Sequence, residues 1–168
     1  MIRILAFTIV SLSIFIKLYG QSPFKVYFFL LEDCKISKAY IPEIRKLIKE
    51  FECDSIHFKA YFPNPSSEQT LVNEFVRIYK PGMDCMLDAQ QLMAKKFDIT
   101  VMPEVVVYAE KTDKIIYQGR IDNLFAAIGK RRSKATEHDL RDCLLKIQKA
   151  ETILPRKTEA FGCYLTRL

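Results

Sequence analysis

Cys34 occupies the position in the sequence that is best suited to chemistry. It follows the apolar run FKVYFFLL, residues 24–31, and precedes a helical pattern over residues 36–51, so it is predicted to end a strand and begin a helix. At such a point a thiolate is stabilised by the unpaired backbone N–H groups and the dipole of the helix, and the neighbouring Lys35 adds a favourable charge. The sequence therefore predicts a reactive cysteine at the start of the first helix.

The remaining cysteines lie in less reactive settings. The chain has five cysteines, so in an exported protein at least one thiol stays free or pairs outside the molecule. Cys53 in a turn, Cys85 in a short apolar strand and Cys143 on an apolar helical stripe are predicted to be structural. No cysteine lies at metal-ligand spacing from either histidine, and no glycine-rich phosphate loop is present. Neither a metal nor a cofactor is predicted.

The elements that position Cys34 follow from hydrophobic periodicity. Strand-like apolar runs alternate with amphipathic helical ones, which is the pattern of an α/β layered domain. The nearly continuous apolar character of residues 24–31 predicts a central strand, and the turn at residues 111–113 predicts an antiparallel hairpin. Strands are predicted at residues 24–31, 55–62, 103–109 and 114–120, and helices at 36–51, from Ser66 or Ser67 to Tyr79, at 89–97 and at 137–150.

Helix caps and apolar stripes give finer expectations. Ser66 or Ser67 is predicted to cap the second helix, with an apolar stripe of Leu71, Phe75 and Ile78. Thr136 and Asp139 have the spacing of a cap on the last helix. The final eighteen residues show no periodicity and are predicted to be irregular.

The N-terminus predicts export. Met-Ile-Arg is followed by an apolar run over residues 4–16 and then by small and polar residues around Gly20, which is typical of a signal peptide cut just before Gln21. The apolar run is shorter than the roughly 20 residues that span a bilayer, and Lys17 interrupts it. A periplasmic or secreted protein with no permanent membrane span is expected, although retention of residues 1–20 as an anchor stays open.

Composition excludes several classes of protein. The 168 residues are 49% hydrophobic and 27% charged, which is typical of one soluble domain and excludes disorder, collagen and coiled coil. A formal net charge of +6 is too modest to indicate nucleic-acid binding unless the basic residues cluster on one face, and the basic stretch at residues 130–134 is interpreted as a solvated loop. No nucleic-acid partner is predicted.

Two prolines complete the candidate site and carry a family resemblance. Pro42 lies eight residues after Cys34, where it is expected to kink the helix, and Pro103 opens a strand in DITVMPEVVVY, a position compatible with a cis bond. With these residues the chain resembles the thioredoxin superfamily over residues 24–129. Cys34 matches the nucleophilic cysteine, Ser37 the second cysteine of a CxxC motif, and Pro103 the cis-proline that faces the active site.

A narrower resemblance extends to the C-terminus. The segments CKISKAYIPEI, TVMPEVVVY, YQGRIDN and TEAFGCYL resemble bacterial redoxin-domain proteins of the alkyl hydroperoxide reductase and thiol-specific antioxidant family. This resemblance implies a thioredoxin-like fold, with a central mixed sheet flanked by helices and an inserted helix and strand. It implies a redoxin domain over residues 21–129 and a C-terminal loop, helix and tail, residues 130–168, packed on that domain.

Ser37 is the main departure from the thioredoxin pattern, because it cannot form a disulfide within the motif. An oxidised Cys34 then has three routes: a mixed disulfide resolved by an outside thiol, a disulfide with a distant cysteine of the same chain, or a sulfenic acid. Cys163 is the candidate for the distant partner, since the tail could fold back and the resembling proteins have a cysteine at the matching place. The alternative role of Cys163 is a small apolar plug.

These features predict an exported thiol-disulfide oxidoreductase with a single motif cysteine. Cys34 would attack protein disulfides, Pro103 and the backbone beside Met102 would hold an extended substrate segment, and Ser37 would hydrogen-bond the thiolate. Its partners would be protein thiols, disulfides or peroxides and an external thiol reductant. Two alternatives stay open: a thiol peroxidase, although Leu31 replaces the threonine typical of peroxiredoxins, and a non-catalytic binding or assembly module.

Overall fold

The computed structural model describes residues 23–168, and the predicted signal peptide over residues 1–20 lies outside them. The strands are β1 (Phe24–Phe29), β2 (Ile56–Phe62), β3 (Asp84–Leu87), β4 (Val101–Met102), β5 (Glu104–Ala109), β6 (Lys114–Gly119), β7 (Phe125–Ala127), β8 (Lys130–Arg131), β9 (Arg156–Lys157) and β10 (Cys163–Tyr164). The helices are α1 (Lys35–Phe51), α2 (Gln69–Tyr79), α3 (Leu92–Lys96) and α4 (Asp139–Gln148). No helix within residues 23–168 has the length and apolarity needed to cross a membrane.

A six-stranded mixed sheet forms the centre of the fold, with the strand order β3-β2-β1-β5-β6-β9. β1 runs parallel to β2 and antiparallel to β5, so that Val26 lies opposite Phe58 on one side and Val107 on the other. β5 and β6 pair antiparallel. The predicted central first strand and the predicted hairpin are both confirmed.

Each face of the sheet has its own apolar core. On the first face, Val26 and Phe28 of β1 pack with the buried residues of α1, α2 and α4. On the second face, Phe29 packs with residues of α3, with Met102 of β4 and with Leu165 of the tail. The predicted central mixed sheet flanked by helices is therefore confirmed. Cys34 belongs to the second core, so the tail covers the face on which the candidate thiol lies.

The predicted cap and stripe of α2 are wrong in detail. The helix begins at Gln69 after Glu68, and the Ser67 hydroxyl donates a hydrogen bond to the Glu32 carboxylate at 2.8 Å instead of capping the helix. Val72 and Phe75 are its buried residues, whereas Leu71 and Ile78 are 41% and 52% exposed. The inward face therefore includes Val72 in place of Leu71 and keeps Phe75.

The predicted cap of α4 is also wrong. The Thr136 hydroxyl accepts a hydrogen bond from the Asn123 amide at 2.9 Å and makes no bond to the helix. The Asp139 carboxylate is buried between two arginines and contacts Arg120 at 2.7 Å and Arg156 at 2.5 Å. Asp139 is therefore used to attach the strand end and the tail rather than to cap a helix.

The last eighteen residues, predicted to be irregular, contribute two short strands. β9 pairs in parallel with β6 and forms one edge of the sheet, and β10 pairs antiparallel with β4. Each contains two residues, which is too short to show an alternating pattern in the sequence. The tail is held by backbone pairing at two places, and Cys163 lies at the second of them.

Candidate functional site

Cys34 lies at the junction that the sequence predicts, between β1 and α1. It is the N-cap residue of α1, its carbonyl accepts the first helical hydrogen bond from Lys38 N–H at 3.0 Å, and its own N–H donates to the Leu31 carbonyl at 3.1 Å. The residue is only 2% exposed. Cys34 makes no side-chain hydrogen bond to the helix, but its position at the N-terminal end places a thiolate where the helix dipole is favourable.

The sulfur of Cys34 is bonded to the sulfur of Cys163. The two cysteines are 129 residues apart in sequence, and their Cα atoms are 6.3 Å apart, within the range of about 4.4 to 6.8 Å found for disulfides. Among the three routes that the sequence leaves open for oxidised Cys34, the structure contains the disulfide within the chain. The tail folds back as that route requires.

Met102 and Pro103 form the wall beside this disulfide. The Met102–Pro103 peptide bond is cis, Met102 is fully buried, and Cys163 lies directly opposite Met102 in the pairing of β10 with β4. The Cys34 sulfur is 3.6 Å from the Met102 carbonyl oxygen. In the disulfide this is a contact without a proton, and in the reduced protein the thiol has an acceptor at the same place.

Ser37 lies one helical turn after Cys34 and is fully buried. Its hydroxyl oxygen accepts a hydrogen bond from Leu31 N–H at 3.2 Å, which ties the first turn of α1 to the segment before Cys34. The predicted hydrogen bond from Ser37 to the thiolate stays a prediction. Pro42 lies inside α1, which continues through it to Phe51.

The tail approaches the Met102 backbone more closely than a side chain would permit. A Cβ atom on Gly162 would lie 2.0 Å from the Met102 carbonyl oxygen and 2.9 Å from the Pro103 nitrogen. Two residues beyond Cys163, Leu165 is buried and its N–H donates to the Thr100 carbonyl at 2.9 Å. Gly162 therefore permits the contact that brings Cys163 to Cys34, and Leu165 anchors it.

Sequence reasoning missed Gly162 and also Gln91, whose side chain holds the end of the tail. Gln91 is 1% exposed, and its amide contacts the backbone of Thr166 and Leu168. The glycine directly before Cys163 was a usable signal for a close approach. Nothing in the sequence around Gln91 indicates a partner 75 residues away.

Two cavities adjoin the site. One of about 330 Å³ is lined by tail residues including Gly162 and Tyr164, together with Glu104 and Lys157. Burial raises the pKa of the Glu104 carboxyl. The other, of about 430 Å³, is lined by apolar side chains of α2 and by the acidic residues that directly precede Cys34. The first cavity is therefore lined by the sequence neighbours of Cys163, and the second by residues that shortly precede Cys34.

The other cysteines are kept apart from this site. Burial raises the pKa of Cys85 and of Cys143 to about 12, so both thiols stay protonated and unreactive. Cys53 is exposed, and a hydrogen bond with Ser55 lowers its pKa. No group of histidine, cysteine, aspartate and glutamate within residues 23–168 could hold a metal ion.

Arg120, the residue that directly follows β6, forms ion pairs at the start of α4. Its guanidinium pairs with Asp139 and Glu137, and its side chain is 21% exposed. Arg120 attaches α4 to the end of β6.

Known structures share this architecture. A hypothetical protein from Sinorhizobium meliloti 1021 is 20% identical with a TM-score of 0.74, over 88% of this chain and 81% of that one. A secreted Mycobacterium tuberculosis disulfide oxidoreductase, homologous to E. coli DsbE, is 15% identical with a TM-score of 0.51, over 77% and 83% of the two chains. The thioredoxin domain of a Bacteroides vulgatus thiol-disulfide oxidoreductase is 11% identical with a TM-score of 0.54, over 75% and 79%. No family model and no curated protein matches the chain. The mixed sheet, its flanking helices and these similarities establish that the chain has a thioredoxin-like fold.

Proposed function

We propose that the protein is a thiol-disulfide oxidoreductase in which Cys34 and Cys163 form an intramolecular redox couple. The observation that carries the proposal is the bond between these two sulfurs, one at the start of α1 and one on the folded-back tail. Because Ser37 occupies the second motif position, Cys34 is the only cysteine of the motif, and Cys163 supplies the second thiol of the couple. The disulfide oxidoreductases with the same fold support this class of activity.

The two sulfurs have different roles in thiol exchange. Cys34 is 2% exposed, whereas Cys163 is partly exposed, so an incoming thiolate attacks the sulfur of Cys163. The bond between the two cysteines breaks, a mixed disulfide forms on Cys163, and Cys34 leaves as a thiolate at the helix N-terminus. A thiol with a low pKa is the better leaving group, so exposure and electrostatics favour the same direction.

A second substrate thiolate then completes the reaction. It attacks the substrate sulfur of the mixed disulfide, which releases the Cys163 thiolate and leaves the substrate with a new disulfide. Two electrons pass from the substrate dithiol to the protein, and the two substrate protons end on solvent or on the protein thiols. In the reverse direction the Cys163 thiolate attacks a substrate disulfide, one substrate thiolate leaves, and the Cys34 thiolate then attacks Cys163 and releases the second substrate thiolate.

Met102 and Pro103 hold the substrate segment in this proposal, and Ser37 supports the Cys34 thiolate. β10 already pairs with Met102 and Val101, so an extended substrate segment takes this edge only after the tail has moved away. Return of the tail would then displace the product. The tail and the substrate therefore compete for one backbone edge.

We place this activity outside the cytoplasm. Residues 1–20 are proposed to be a signal peptide, residues 21–129 the redoxin domain, and residues 130–168 the segment that supplies Cys163. A disulfide between distant cysteines persists in oxidising compartments, and the similar Mycobacterium tuberculosis protein is described as secreted.

A trapping experiment tests the proposal. The oxidised full chain is mixed with limiting glutathione, quenched with iodoacetamide and mapped by peptide mass spectrometry. The expected products carry glutathione on Cys163 and the alkyl group on Cys34, and the Cys34→Ser and Cys163→Ser variants serve as controls. Glutathione on Cys34 would refute the assigned direction of attack.

The same variants separate the two alternative functions. A thiol peroxidase would consume Cys34 rapidly at low excess of hydrogen peroxide, even in the Cys163→Ser variant. A binding module would form no mixed disulfide at either sulfur. Either result would replace the oxidoreductase proposal.

A further inference from the structure

Gln91 joins three separate parts of the chain through one buried side chain. Its Nε2 group donates hydrogen bonds to the Pro63 carbonyl at 3.1 Å and to the Thr166 carbonyl at 2.6 Å. Its Oε1 atom accepts a hydrogen bond from Leu168 N–H at 3.0 Å. Every donor and acceptor contact of this amide that the structure gives is to backbone, and two of the three are to the tail.

The backbone of Gln91 is itself firmly placed. The residue has a left-handed φ of 57° and precedes α3. Its N–H donates to the Asp88 carbonyl at 2.8 Å, and its carbonyl accepts from Lys95 N–H at 2.8 Å. The Asp88 carboxylate in turn accepts the N–H groups of the first three residues of α3. Gln91 therefore presents its amide from a rigid support.

The tail reaches this support just after Cys163. Thr166 and Leu168 follow the cysteine by three and five residues, and on its other side the Thr158 hydroxyl is hydrogen-bonded with Tyr117 at 2.6 Å. Cys163 thus lies between two fixed points of the chain. An exposed ion pair between Arg167 and Asp98 occupies the same end of the tail, but such pairs contribute little to stability.

We propose that Gln91 is a positioning residue for the redox couple, which sets the effective concentration of the Cys163 thiol at Cys34 by holding Thr166 and Leu168. This inference rests on the proposed function, because it concerns the equilibrium of the same two sulfurs. A side chain that only stabilised α3 would change the free energy of unfolding without changing that equilibrium. A side chain that holds the tail must change it.

The equilibrium is defined by exchange with dithiothreitol. Reduced dithiothreitol gives two electrons and two protons to the Cys34–Cys163 disulfide, which becomes two thiols, and dithiothreitol closes into its cyclic disulfide. A looser tail lowers the effective concentration of one thiol at the other and so favours the reduced protein. Loss of the two tail hydrogen bonds is expected to shift the equilibrium constant about tenfold, equivalent to a rise of about 30 mV in the reduction potential.

The experiment uses the full chain with four matched variants. Gln91→Met keeps the approximate size of the side chain and removes its hydrogen bonds, and a chain ending at Leu165 removes the same two tail partners without altering Gln91. The two changes are also combined, and Arg167→Ala serves as the control at the same end of the tail. The fraction of Cys34–Cys163 disulfide is measured by thiol labelling and mass spectrometry across dithiothreitol redox buffers, beside thermal unfolding of the reduced forms.

The proposal expects about a tenfold shift for Gln91→Met and for the shortened chain, no further shift when they are combined, and less than a twofold shift for Arg167→Ala. An unchanged equilibrium in the shortened chain overturns the proposal, even where Gln91→Met does not fold. Additive shifts in the combined variant also overturn it, because Gln91 would then act by another route. Failure of the proposed function looks different, since the wild-type chain would form no Cys34–Cys163 disulfide at any potential.

Discussion

Replacement of Gly162 by alanine tests whether the tail must lie against the Met102 backbone for the couple to form. The added Cβ would lie 2.0 Å from the Met102 carbonyl oxygen and 2.5 Å from its carbonyl carbon. Both atoms are backbone, so the strain cannot be relieved by a rotamer change, and either β10 or the Met102–Pro103 segment must move. Inserting a methyl group into such a contact costs about 1 to 3 kcal/mol.

This cost falls mainly on the oxidised state, because the disulfide requires the tail in place while the reduced tail can lift away. The equilibrium constant for disulfide formation is therefore expected to fall by a factor of roughly 5 to 150 in Gly162→Ala. The assay is the ratio of dithiol to disulfide in dithiothreitol redox buffers. The free energy of unfolding of the reduced protein, from urea titration, is expected to change much less.

Gly129→Ala is the matched control for this prediction. Gly129 has a φ of +76°, so alanine there is strained, but no atom outside its chain neighbours lies within 4 Å of the added Cβ. It is expected to lower stability by about 1 kcal/mol without changing the equilibrium of the couple. The reasoning would be refuted if Gly162→Ala matched the wild type in redox buffers, or if Gly129→Ala shifted the couple equally.

Three further outcomes follow from burial and charge. Iodoacetamide added to the native oxidised protein is expected to label exposed Cys53 first and to spare Cys143, because burial raises the pKa of Cys143 to about 12. Peptide mass spectrometry measures the labelling, and labelled Cys143 in the folded protein would contradict this expectation. Burial also raises the pKa of the Glu104 carboxyl, so wild-type stability is lost as pH rises from the ordinary carboxyl pKa of about 4 through the raised value. Glu104→Gln is therefore expected to gain stability relative to wild type over that rise in urea unfolding; a difference independent of pH would exclude a buried ionising carboxyl. Asp139→Ala is expected to lower the free energy of unfolding by about 2 kcal/mol, which is less than the loss for a fully buried ion pair because Arg156 is 56% exposed. The control is Asp142→Ala, an exposed position on the same helix, where the expected loss is under about 0.5 kcal/mol.

The fold could be predicted largely from periodicity. Residues 24–31 are apolar at nearly every position, and β1 is indeed paired on both sides within the sheet. The errors in the predicted caps of α2 and α4 have a common cause. The hydroxyls of Ser67 and Thr136 bind distant partners, Glu32 and Asn123, and tertiary contacts of this kind override the local capping preference.

In the candidate site, too, the features set by local sequence could be predicted, whereas those set by tertiary contacts could not. Cys34 is recognisable because its setting is local: a strand ends, a helix begins, and the chemistry follows from the sequence on either side. The role of Cys163 depends on where the tail lies, and two-residue strands such as β9 and β10 leave no periodic signal. A resemblance to other proteins could suggest the partner cysteine, but the physical properties of the tail sequence alone could not.

The tail also changes which residues belong to the site. In a motif with two cysteines, the helix that carries both would hold the second thiol in place without help. Here Ser37 leaves that task to a segment more than one hundred residues away, so its position depends on what it contacts: the space that Gly162 leaves at Met102, the apolar seat of Leu165 and the amide of Gln91. None of these residues has redox chemistry of its own. Each affects the couple only through the distance between two sulfurs, so a search of the sequence for reactive residues could not find them.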